Sequence, residues 1–187
     1  MKKLVVSLAV AIIAALLGVG GWVLFKGAGP RERVEGGNGT KVIVEELSYY
    51  NRGRKVYGKV FKPSDENGNF PDSLGTRPVV IYFHESLSTA APEKMLRQIA
   101  ARGVVGYSAA FHDKKSEIGF LVKKIGRERF ADKDLIFLLT DGAADKAADA
   151  LASRRRGGVA GHLVIDPADP AVLQQVTEFL EMGGAMK

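Results

Sequence analysis

The 187 residues contain no cysteine, which excludes a disulfide framework, a thiolate nucleophile, a thiolate zinc site and lipid attachment at a lipobox cysteine. That absence is compatible with any compartment. No internal repeat and no low-complexity tract occurs. A large excess of one charge is also missing. The formal net charge is +6, but three of the 27 basic residues, Lys2, Lys3 and Lys26, flank an apolar N-terminal segment. The small remaining surplus gives no support to a nucleic-acid partner, and none is expected. Arg154, Arg155 and Arg156 form the single basic cluster. It falls at the end of a predicted helix, where cations suit the macrodipole; contact with an anionic lipid or a partner is the other reading.

Charge is wholly absent from residues 4–25, an almost entirely apolar stretch of about 22 residues. At about 1.5 Å per residue it matches a hydrocarbon core of roughly 30 Å, so a membrane-spanning helix is expected. Lys2 and Lys3 before it and Trp22 near its far end place the N-terminus in the cytoplasm and the remainder outside. A cleaved signal peptide competes with this reading, but its apolar region is usually shorter. Residues 1–26 are therefore read as a single-pass anchor or uncleaved signal. Residues 27–40, rich in glycine and charge, are read as a flexible tether, and residues 41–187 as one domain of modest size.

Within that domain, residues 41–50 and 54–62 carry short β-branched and aromatic runs around Asn51, Arg52 and Gly53, the pattern of an antiparallel hairpin. Tyr49, Tyr50 and Tyr57 on it read as cross-strand packing. After a loop over 63–77, residues 78–83 form a continuous apolar run, expected as a strand covered on both faces in the middle of a sheet. Helical spacing follows over 91–102, with Pro92 suited to the first turn and Gly103 to the stop. Strands over 104–111, 135–139 and 159–165 then alternate with helices over 117–125, 143–153 and 170–182. This alternation predicts a mainly parallel α/β sheet with helices on both faces.

Residues 134–144, DLIFLLTDGAA, read as a buried strand, a tight turn and a helix, the layout of the G-x-S-x-G elbow on which hydrolases mount a serine. Thr140 and Ala144 are the small flanking residues of that pattern, and Gly142 occupies the place of the serine. Taken with residues 54–63 (RKVYGKVFKP), 78–85 (PVVIYFHE) and 130–139 (FADKDLIFLL) in this order, the chain resembles the dienelactone-hydrolase-like branch of the α/β-hydrolase superfamily over about residues 42–168. The resemblance implies a hairpin opening the sheet, His84 and Glu85 at the strand end beside the oxyanion loop, Gly142 at the nucleophile position, and the backbone N–H of Ala143 completing the oxyanion hole.

The departures from the family pattern matter more. The segment 111–134 is shorter than the excursion that walls the pocket in relatives. After residues 166–169 one helix follows, so the strands that carry the triad acid and histidine are absent from this sequence. The expectation is a truncated, α/β-hydrolase-like fold without serine-triad catalysis, binding a small acyl ligand or a partner. The alternative is an active ester or peptide hydrolase with a rearranged or metal-assisted site.

For that alternative, His84, Glu85, His112, Asp113, Asp141 and Asp166 fall at the carboxyl ends of predicted strands, where ligands gather. Asp141, His84 and His112 are the candidate catalytic residues, and a metal held by imidazole and carboxylate is the competing use of the same groups. Against Asp141 as a nucleophile, it would put Leu139 where the elbow wants a small side chain. No cofactor is expected. Ser86 and Ser88 in a loop, and Ser108 in a strand, lack the elbow context and read as turn and packing residues. His162, inside an apolar strand, reads as a hydrogen-bonded structural histidine. The strand over 159–165 would be an edge lacking its usual neighbours, and pairing with its own copy would give a symmetric homodimer. Pro167, Pro170 and the helix from Ala171 offer an internal cover instead.

Overall fold

The computed structural model describes residues 31–186 except 38, 52, 72–74, 85–89, 113–114, 143 and 155–157. The apolar segment 4–25, the first residues of the expected tether, Glu85, Asp113, Ala143, Arg155 and Arg156 lie outside the described residues. Among the described residues, seven strands form one sheet in the order β1-β2-β3-β5-β4-β6-β7. They are β1 (Glu32–Gly37), β2 (Thr40–Asn51), β3 (Arg54–Pro63), β4 (Arg77–His84), β5 (Val105–Ala110), β6 (Ala131–Thr140) and β7 (Gly161–Val164). The helices among the described residues are α1 (Ala90–Ala101), α2 (Lys115–Ile125), α3 (Asp145–Ala152) and α4 (Val172–Met182).

The sheet is mixed, which corrects the expectation of a mainly parallel one. β1, β2 and β3 are antiparallel to one another, and β3 joins β5 antiparallel as well. Only the β5-β4-β6-β7 half is parallel, because only those strands are linked by helical crossovers. A second correction concerns the tether. Residues 32–37 are not loose but form the edge strand β1 along β2.

β4 is buried from Val79 onward because each face of this central strand meets its own layer. Val79, Ile81 and Phe83 join Ile118, Leu121 and Val122 of α2 and Ala148 of α3 in one cluster. Val80 and Tyr82 join Leu96 and Ile99 of α1 and Val176 and Leu180 of α4 in the other. At about 1.5–3 kcal/mol for each fully buried aliphatic or aromatic side chain, this double layer dominates the stability of the parallel half. It also holds the carboxyl ends of β4, β5 and β6 side by side.

Candidate functional site

β6 ends at Thr140, the backbone turns through Asp141 and Gly142, and α3 begins at Asp145. Gly142 has φ +131°, a conformation open to glycine and strained for other residues. A Cβ built there would meet no atom within 4 Å. Thr140 and Ala144, on either side, are fully or nearly fully buried. Small residues are needed here because the strand runs almost directly into the helix. The turn is closed by the Asp145 N–H donating to the Gly142 carbonyl at 3.0 Å.

Asp145 ties this turn to the neighbouring strand. Its Oδ1 accepts the Thr140 hydroxyl and, at 3.3 Å, the Gly142 N–H. The Thr140 oxygen lies 2.7 Å from His162 Nε2 on β7. Since the single hydroxyl proton goes to Asp145, the histidine donates from Nε2–H. Burial pushes the His162 pKa down, opposed by the charges of Asp145 and Asp149. The expected hydrogen-bonded structural histidine is thus found, and its partner is the elbow itself.

On the opposite face of the sheet a second polar cluster lies under the turn. The Tyr82 hydroxyl donates to Asp141 Oδ2 at 2.6 Å. Burial first, then this hydrogen bond and the carboxylate charge, raise the Tyr82 pKa far above the ordinary phenol value and keep the ring neutral. Asp141 Oδ1 is buried and has no hydrogen-bond partner among the described residues. The His84 ring stacks on Tyr82, with centroids 5.5 Å apart. His84 Nε2 lies 3.0 Å from Ser108 Oγ on β5. Both side chains are almost inaccessible, His84 at 4% and Ser108 at 2% exposure.

The structure therefore brings His84 and Asp141 together through Tyr82, and the Phe111 N–H, next to His112, donates to the His84 carbonyl at 2.8 Å. His112 follows β5; its backbone N–H donates to the buried Glu117 carboxylate at 2.9 Å, while its Nδ1 is buried without a hydrogen-bond partner among the described residues. Asp166 is a turn residue, accepting the Ala168 N–H at 2.9 Å. Among the described residues, no group of three or more His, Asp or Glu side chains is placed to hold a metal ion. The Ser108–His84 and Thr140–His162 contacts escaped the sequence reading. Neither is a short motif, since 24 and 22 residues separate the partners, and only the strand order makes them neighbours. The hairpin tyrosines divide. Tyr49 is buried and stacks on Phe120, whereas Tyr50 and Tyr57 are half exposed.

No protein-family model matches the chain, and no curated protein matches it. Solved structures do share its fold. A glucuronoyl esterase from Teredinibacter turnerae T7901 superposes with a TM-score of 0.53 at 11% identity, over 72% of this chain and 43% of that one. A cold-adapted esterase from an Arctic intertidal metagenomic library, bound to polyethylene glycol, gives 0.52 at 11% identity over 73% and 63%. Vibralactone cyclase gives 0.51 at 15% identity over 66% and 42%. The fold is α/β-hydrolase-like, and the matched region spans less than two thirds of the length of each of these three proteins.

Proposed function

We propose that this chain is an α/β-hydrolase-like protein of the dienelactone-hydrolase-like branch that lacks serine-triad catalysis and binds a small acyl ligand. The observation that carries the reading is Gly142: the strand–turn–helix presents a positive-φ residue between two small buried ones, and that residue has no side chain. Glycine cannot attack a carbonyl, and oxyanion donors alone retain only a residual part of such a rate enhancement. The open space where a Gly142 side chain would stand is left to the acyl group. The proposal includes anchoring through residues 4–25, with the domain outside the cytoplasm. Retention in the membrane fraction at high salt is the expected result, and release of a soluble form beginning near Ala28 or Pro30 would refute it.

A second reading is favoured by one specific contact, Ser108 Oγ at 3.0 Å from His84 Nε2. This is nucleophile–base geometry on a different strand, in a hydrolase with a rearranged site. Hydrolysis of a panel of short acyl esters by the full chain in neutral detergent, with and without divalent metal, separates the two. The first reading predicts at most a residual rate, left unchanged by Ser108→Ala. Turnover abolished by Ser108→Ala would establish the second.

A further inference from the structure

At the other end of the sheet, about 30 Å along β6 from Gly142 at roughly 3.3 Å per residue, an open groove of about 510 Å³ lies between α2, α3 and the first residues of β6. Four cations line it: Lys123 in the last turn of α2, Arg127 just beyond, Lys133 on β6 and Arg154 after α3. No Asp or Glu lines it, and none of the four cations takes part in an ion pair or side-chain hydrogen bond among the described residues. The helix macrodipole accounts for cations at the ends of α2 and α3, but not for Lys133 on a strand. Four unneutralised like charges around one depression repel one another, and a multivalent anion relieves that repulsion.

The floor is apolar, with the partly buried Leu151 packed over the core side chains of Val122 and Ile136. Gly119 opens onto it from the interior of α2, where glycine costs about 1 kcal/mol relative to alanine. No packing demands that glycine, since a Cβ there would meet no atom within 4 Å. Its absence of a side chain keeps the groove deep.

We propose that this groove is a binding site for a phosphate ester with a short apolar segment, the phosphate held by the cationic rim and the segment lying on the Val122–Ile136–Leu151 floor. The volume falls in the range of small-molecule sites. A phosphate, with three terminal oxygens, can accept from several of these cations at once, whereas a carboxylate fits a single fork.

Titration calorimetry of the full chain in neutral detergent tests the site with butyl phosphate, inorganic phosphate, and short-chain phosphatidic acid, a lipid phosphomonoester, against phosphatidylcholine. Butyl phosphate should bind more tightly than inorganic phosphate. Arg127→Ala combined with Lys133→Ala should weaken butyl phosphate binding by about tenfold or more, the loss of charge-assisted contacts. Gly119→Leu retains all four charges, improves the helix and fills the groove; it should weaken binding comparably while leaving the melting temperature unchanged or raised. Phosphatidic acid binding that both variants lose would assign the phosphate to a lipid headgroup; butyl phosphate binding without it would assign a soluble ester. Absence of binding in both arms, or binding that neither variant weakens, overturns the proposal.

Discussion

Replacing Gly142 with alanine isolates the backbone conformation on which the functional reading rests. At φ +131° an L-residue is strained, and a non-glycine residue held in such a region costs about 1–3 kcal/mol. The added methyl meets no atom within 4 Å, so neither a clash nor new packing enters the difference. For a chain of this size a loss of 1 kcal/mol lowers the melting temperature by about 2–4 °C, so Gly142→Ala should melt about 2–12 °C below the parent. Gly119→Ala is the control. Its methyl also meets nothing, but the site is helical, and the substitution should stabilise by up to about 1 kcal/mol. Thermal unfolding of both variants, followed by circular dichroism in neutral detergent, measures the contrast. If Gly142→Ala melts with the parent while Gly119→Ala behaves as expected, residue 142 does not sit in a strained elbow.

Thr140→Val keeps the shape of a fully buried side chain but removes the donor to Asp145 and the acceptor for His162. A loss of about 1–3 kcal/mol is expected by chemical denaturation, and a neutral result would show that the cluster does not hold the elbow. The His162 pKa is lowered in the folded state, so the unfolded chain binds the extra proton as pH falls through the usual imidazole value. Stability is accordingly full above that value and declines below it, down to the folded pKa; the imidazole should titrate by NMR below the usual value, and His162→Gln should reduce the slope of stability against pH. The outer edge of β7, with Val164 half exposed, is proposed to pair with its own copy in a symmetric dimer. A monomer in sedimentation equilibrium at high concentration would refute that pairing.

The parallel half was legible because its signals are strong and local. Residues 78–83 are uniformly apolar over a strand's length, and that pattern arises where both faces are covered. The hairpin was equally plain, from its β-branched and aromatic runs on either side of a turn. β1 was not, because Glu32, Arg33 and Glu35 are exposed and no period-2 apolar pattern marks the strand. It forms by pairing with β2, and Gly36 lets it approach closely, since a Cβ there would fall 2.5 Å from Val42 and 2.7 Å from Ala101. The outer half of β6 was missed for the same reason, with Asp132, Lys133 and Asp134 masking a strand that begins at Ala131. At the site, the spacing of Thr140, Gly142 and Ala144 revealed the elbow, whereas the polar contacts that hold it depend on which strands adjoin, a property no local window carries.

The central claim is that the elbow of this α/β-hydrolase-like fold presents no nucleophile. Incubating the full chain in neutral detergent with a fluorophosphonate that labels activated serines, then mapping adducts by mass spectrometry, tests it most directly. No labelled serine is expected under conditions that label an active esterase completely; an adduct at Ser108, or at any other serine, that short acyl esters compete away would contradict the absence of a nucleophile.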